Sequence, residues 1–132
     1  MPAPIFFYFD LLSPYAHIAW HQIHGLADRY GRPVQPVPTL LAALLAHGGT
    51  KGPAEIPAKR VYVFKDALRS ARRLGLPLVP PPTHPFNPLV ALRAGSVVEG
   101  AAQRRLIDGL FAAVWGGGGG AESPEAVQAI AT

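Results

Sequence analysis

Apolar residues crowd into one short run, Ile5 to Phe9, and afterwards recur at helical rather than alternating intervals. The run is brief, aromatic and closed by a loop, which predicts a buried strand. Tyr15, Ala19, Ile23, Leu26 and Tyr30 then repeat every three or four residues, which predicts a helix over 14–30 with that stripe inward. Ser13 followed by Pro14 supplies an N-cap and a first helical residue, and Gly31 stands where a helix-ending glycine belongs. Val34 to Val37 predicts a second short strand, with Pro36 and Pro38 confining it to an edge. Strand, helix and strand at this spacing form a βαβ unit, whose crossover gives a parallel pair.

Beyond that unit the pattern is helical throughout. Thr39 to Ala46 predicts a short apolar helix ending at Gly48-Gly49, and Lys51-Gly52-Pro53 a turn. A long helix is expected over 57–74, its stripe being Val61, Phe64, Leu68, Ala71 and Leu74, with Gly75 as its stop and Glu55 as a candidate cap. The proline-dense stretch 76–85 excludes regular structure. Helices are expected over 89–94 and 97–115, the second burying Val98, Ala101, Ile107, Leu110, Phe111 and Val114. Ser123-Pro124-Glu125, after five consecutive glycines, repeats the cap signature for a last short helix. The expected organisation is one domain: a βαβ unit over 1–38, a helical insertion over 39–115, and a glycine-rich linker with a short helix over 116–132. Two strands make a poor sheet, so the pattern resembles half of a larger α/β fold.

Composition narrows the chemistry. A chain of 132 residues, 49% hydrophobic and 15% charged, is long enough for one core and excludes a disordered chain. The net charge of +4 and the pI near 9.9 slightly favour anionic ligands. The basic pairs Lys59-Arg60, Arg72-Arg73 and Arg104-Arg105 read as solvated helix faces, so no nucleic-acid partner is expected. Zero cysteines exclude disulfides, cysteine-ligated zinc and a cysteine nucleophile. No basic leader with an apolar core opens the chain, and no apolar run reaches membrane-spanning length, so a cytoplasmic protein without membrane association is expected.

Ser13 is the leading candidate for chemistry. Free amides and the positive end of a helix dipole converge beside its hydroxyl, which makes an anion site. Thioredoxin-like folds carry their reactive cysteine at this point of the chain. With a serine there, the protein has no thiol of its own but can hold another molecule's thiolate; an ordinary N-cap serine is the plainer alternative. His17, His21, His24 and Asp28 share a stripe with metal-ligand spacing, but it lies opposite Tyr15-Ala19-Ile23-Leu26, so a solvated face and no metal are expected. Trp20 and Trp115 read as packing residues, and Arg69, Arg72 and Arg73 as the outer face of the long helix.

The segment Phe7-Tyr8-Phe9-Asp10-Leu11-Leu12-Ser13-Pro14-Tyr15-Ala16 resembles the 2-hydroxychromene-2-carboxylate isomerases, which group with kappa-class glutathione transferases and are related to bacterial disulfide oxidoreductases. The resemblance continues in order through Gly52-Pro53-Ala54-Glu55-Ile56-Pro57-Ala58-Lys59-Arg60, Arg72-Arg73-Leu74-Gly75-Leu76-Pro77 and His84-Pro85-Phe86-Asn87-Pro88-Leu89-Val90-Ala91-Leu92-Arg93. It implies an α/β, thioredoxin-like fold of the DsbA and kappa type. It also implies a C-terminal ββα part with a cis-proline loop that this chain, ending at Thr132, does not reach, so a truncated member is expected. Glutathione is the implied cofactor. Ser13 would donate to its thiolate as the catalytic residue, with Pro14, Lys51 and Asn87 also binding it. Tyr15, His84 and Asn87 would meet an aromatic carboxylate substrate. Lys51 reads equally as a solvated loop cation, Asn87 as a cap of the following helix, His84 as structural, and Lys59 and Arg60 as structural or ion-paired. The implied activity is isomerisation of a 2-hydroxychromene-2-carboxylate or a similar aromatic-degradation intermediate. The alternatives are kappa-like glutathione transfer and a non-catalytic fragment that associates with another chain. A homodimer is expected, because both outer strand edges are unpaired.

Overall fold

The computed structural model of the protein describes residues 2–132. Strand β1 (Ile5–Phe9) leads into helix α1 (Pro14–Arg29), and the chain returns as strand β2 (Val34–Pro38). The strands pair in parallel, Ile5 opposite Val34 and Phe9 opposite Pro38. Parallel neighbours need a crossover, and α1 supplies it. The helices α2 (Leu41–His47), α3 (Pro57–Arg73), α4 (Leu89–Ser96), α5 (Gly100–Trp115) and α6 (Pro124–Ala131) follow. This is the α/β order that the sequence predicts.

The ends of α1 follow from its residues. Ser13 has extended backbone and its Oγ accepts from Ala16 N at 3.1 Å, while Pro14 begins the helix without an amide to satisfy. Gly31 ends it at φ +61°, a conformation that side chains with a Cβ resist.

Helix α5 is the spine of the core. Its Phe111 ring centroid lies 5.5 Å from that of Phe9 on β1 and 6.1 Å from that of Trp20 on α1, and Ile107, Leu110 and Trp115 fill in around them. The inner face of β1 is Phe7 and Phe9; Phe6 and Tyr8 point to solvent on the other side. The glycine run after α5 folds tightly onto the end of that helix. Gly120 N donates to Ala113 O at 2.7 Å, and a Cβ on Gly118 would come within 2.7 Å of Ala113 Cα.

Several expected faces are corrected. On α1 the buried residues are Pro14, His17, Ile18, Trp20 and Ala27, whereas Leu26 and Tyr30 are exposed. The helix packs on α3 through Ile18 and on α5 through Trp20 at once, so its inward arc is wider than one apolar stripe and includes His17. On α3 the buried residues are Ala67 and Ala71, small side chains that let α1 approach, while Val61 and Leu74 are exposed. On α5, Ala101 is exposed and Gln103 turns inward, its Nε2 donating to Gly95 O at 2.9 Å. Glu55 does not cap α3. Its carboxylate accepts from Gly52 N at 2.7 Å and closes the 3-10 turn Pro53–Glu55 that precedes it.

Candidate functional site

β1 delivers the chain to a loop, Asp10 to Leu12, whose backbone is held by side chains at every step. The buried Asp10 carboxylate accepts from Leu12 N through Oδ1 at 3.0 Å and from Leu41 N through Oδ2 at 2.8 Å, tying the loop to the start of α2. Burial raises the carboxyl above the ordinary aspartate range, opposed by bonds from the Leu12, Leu41 and Leu11 amides. Leu11 O accepts from Trp115 Nε1 at 2.9 Å, and Leu12 O from His84 Nε2 at 2.8 Å. Asp10→Ala removes the acceptor for two amides at once. It is expected to cost about 2–4 kcal/mol in urea unfolding, with Asp10→Asn retaining part of that loss. Equal stability of Asp10→Ala and the parent would show that water replaces the carboxylate without penalty.

Ser13 closes this loop, and most hydrogen-bonding groups around it are paired. Ser13 N donates to Asp10 O at 3.2 Å and His17 N to Ser13 O at 3.3 Å. Pro14 has no amide. Ser13 Oγ is an acceptor for Ala16 N, so its own O–H stays available to donate. Tyr15 N is left without a partner among the described residues. A hydroxyl, a free amide and the positive end of a 16-residue helix therefore meet at one point.

Ser13, Pro14 and Tyr15 form one side of a cavity of about 370 Å³. Leu41 and Leu45 of α2, Val63 and Phe64 of α3, and His84-Pro85 of the proline-bounded loop supply most of the rest. The His84–Pro85 peptide is cis. The lining is largely apolar, and its polar groups are few: the Ser13 and Tyr15 hydroxyls, Thr50, Glu55 and His84. Tyr15 donates its O–H to Asp66 Oδ2 at 2.6 Å. Burial first, then that carboxylate, push the Tyr15 hydroxyl up to about 12, so it stays protonated at any physiological pH.

The structure thus brings Ser13, Pro14, Tyr15 and His84 to one cavity and leaves Lys51 and Asn87 off its wall. Lys51 is exposed, one residue before the buried Gly52 that does line it. Asn87 is exposed, and its Oδ1 accepts from Leu89 N at 3.0 Å, a turn that leads into α4, whose N-cap is Pro88. Asp66 and Trp115 border the site without a signal from motif or spacing, whereas Asp10 and Glu55 stand inside segments that carry the resemblance but had no site role read into them.

The histidine stripe of α1 does not face solvent as expected. His17 is buried against Phe111 and His21, His24 is half-buried against Trp20, and His21 is exposed. No group of three or more potential ligands that could hold a metal occurs among the described residues. A second cavity of about 350 Å³ lies at the other end of α1, floored by Trp20 and rimmed by Arg32 and Arg104. Among the described residues, no helix is long and apolar enough to cross a membrane.

The family described as a DSBA-like thioredoxin domain matches residues 4–132. Glutathione S-transferase kappa 1 of Caenorhabditis elegans is 35% identical over 77 residues, which is 58% of this chain and 34% of that protein. The 2-hydroxychromene-2-carboxylate isomerase of Pseudomonas putida is 31% identical over 116 residues, 85% of this chain and 56% of that protein. A solved structure of 2-hydroxychromene-2-carboxylate isomerase superposes with a TM-score of 0.79 at 28% identity, over 96% of this chain and 62% of that one. The chain spans between about a third and just over half of the length of these curated relatives.

Proposed function

Since this chain belongs to the DSBA-like thioredoxin family, we propose that it binds glutathione at the N-terminus of α1, with the Ser13 hydroxyl stabilising the thiolate. The single observation carrying this is that Ser13 Oγ already accepts from Ala16 N, so its O–H remains free at a helix N-terminus that walls an apolar cavity. A charge-assisted O–H···S⁻ bond and the helix dipole both favour the anion. With no cysteine in the chain, glutathione supplies the nucleophile. Pro14 shapes the thiolate site and Lys51 takes a glutathione carboxylate. Asn87 contributes its amide NH₂, and Tyr15 and His84 border the substrate.

The reaction in this reading is isomerisation of a 2-hydroxychromene-2-carboxylate or a similar aromatic carboxylate. The thiolate forms a C–S bond with one carbon of the ring double bond, whose π electrons expel the ring oxygen as phenoxide and leave an enol. The phenoxide takes the enol proton, and the former double bond, now single, rotates before the enolate re-forms it. The C–S bond then breaks and returns its electron pair to sulfur. Nothing is oxidised or reduced, and glutathione is recovered. A second reading, glutathione transfer to an electrophile, is favoured by the likeness to a kappa-class transferase; it uses the same Ser13 and differs in having a leaving group.

Ser13→Ala is expected to raise the thiol pKa of bound glutathione by about one to two units, because a hydrogen bond to a charged group contributes about 1.5–3 kcal/mol. Ultraviolet thiolate absorbance titrated against pH reads this directly. An unchanged pKa with glutathione still bound would assign the stabilisation to the helix amides alone. Failure of the parent chain to bind glutathione would overturn the reading. Turnover of the chromene carboxylate with glutathione unconsumed, against conjugation of an electrophilic aryl halide, separates isomerase from transferase.

A further inference from the structure

The two carbonyls immediately before Ser13 are each taken by an aromatic N–H donor from far along the chain. Trp115 Nε1 holds Leu11 O at 2.9 Å across 104 residues, and His84 Nε2 holds Leu12 O at 2.8 Å across 72 residues. The two rings also touch, with centroids 5.6 Å apart. Phe64 of α3 stands edge-on to His84 at 5.3 Å, so the imidazole is wedged between two rings rather than free to turn. Its loop is fixed too, since Arg60 Nη2 donates to His84 O at 3.1 Å.

We propose that His84 is a positioning residue for Ser13, and that its N–H, more than its ring packing, sets where the serine hydroxyl stands. The Leu12–Ser13 peptide carries one carbonyl and one N–H. His84 takes the carbonyl, and Asp10 O takes the N–H. With both ends of that peptide tied, the orientation of the Ser13 Cα–Cβ bond is determined before any ligand arrives, which is the preorganisation an anion site needs. The bond to Leu12 O requires the proton on Nε2. Nδ1 is then the lone-pair nitrogen, and it is buried without a partner among the described residues, so none of them competes for the tautomer. This assignment rests on the glutathione reading for its chemical consequence, but not for the bond itself.

The test uses two variants with opposite virtues. His84→Phe keeps a ring between Phe64 and Trp115 and loses the donor; His84→Gln keeps an N–H at similar reach and loses the ring. Positioning predicts that His84→Phe raises the thiol pKa of bound glutathione by about half to one unit while His84→Gln stays near the parent. It also predicts that amide exchange at Leu12 and Ser13 quickens about three- to tenfold in His84→Phe only. A purely structural role predicts the reverse order, with Phe tolerated and Gln not, and that result overturns the proposal. If Ser13→Ala shifts the thiol pKa and His84→Phe moves neither readout, the glutathione reading stands and this one falls. If the parent does not bind glutathione, the exchange rates alone decide. Should His84→Phe not fold, nitrogen NMR of the parent decides: a Nε2–H tautomer coupled to the Leu12 carbonyl supports the assignment, and a Nδ1–H tautomer overturns it.

Discussion

Phe111→Ala is expected to remove about 3–5 kcal/mol of stability, the range for deleting a fully buried aromatic ring from a core that cannot collapse around the void. The ring is fully buried and joins α5 to both β1 and α1, through Phe9, His17 and Trp20. Domains of ordinary size hold only about 5–15 kcal/mol in all, so the variant should be marginal or unfolded at room temperature. Urea unfolding followed by circular dichroism checks it, with Val97→Ala, at the exposed C-terminal cap of α4, as a control expected to stay within about 0.5 kcal/mol. A loss below about 1 kcal/mol for Phe111→Ala would mean that α5 does not seat against the βαβ unit as described.

The parts of this fold that were legible are those fixed by neighbours in sequence. Ser13-Pro14 and Gly31 mark the ends of α1 because caps and left-handed glycines act over one turn, and the structure places the helix between them. The parallel pairing followed from the length of the crossover. What periodicity could not supply is which face turns inward when a helix has more than one neighbour. Hydropathy favoured Leu26 and Leu74, yet both are exposed, while Ala67 and His17, off the expected stripes, are buried because close approach rewards small side chains and flat rings; Ala71, on its expected stripe, is buried with them. The site divides the same way. Ser13, Pro14 and Tyr15 are adjacent in sequence and share the cavity wall. The donors that fix them, His84 and Trp115, arrive from separations that no spacing rule reaches. The loop that carries Asn87 is near the site, but its oxygen is engaged locally by Leu89 N at the start of α4, a contact that only the folded loop reveals.

Acid is expected to destabilise the chain through His17. The imidazole is buried on α1, and among the described residues neither ring nitrogen has a hydrogen-bond partner of good geometry, the Pro77 backbone offering only weak compensation. Burial first, then the neighbouring His21, lower its pKa from the usual 6.5 to about 4, with the Pro77 carbonyl only partly offsetting them. The unfolded chain therefore takes up a proton near its ordinary pKa while the native chain refuses it until about 4. Stability from this group is complete above about pH 6.5 and declines between there and pH 4, by about 2.5 kcal/mol on reaching pH 4.5. His24 acts in the same direction, since burial and Arg104 lower it as well. Asp10 acts in the opposite direction: burial raises its carboxyl, so its protonation favours the native state as pH falls. The net slope is therefore not diagnostic, but the difference between parent and His17→Leu is. Leucine keeps the site apolar without a titrating nitrogen, so the variant should equal or exceed the parent at pH 7.5 and gain on it steadily down to pH 4.5. Parallel urea midpoints for the two proteins across that range would show that His17 is solvated or partnered in the folded state.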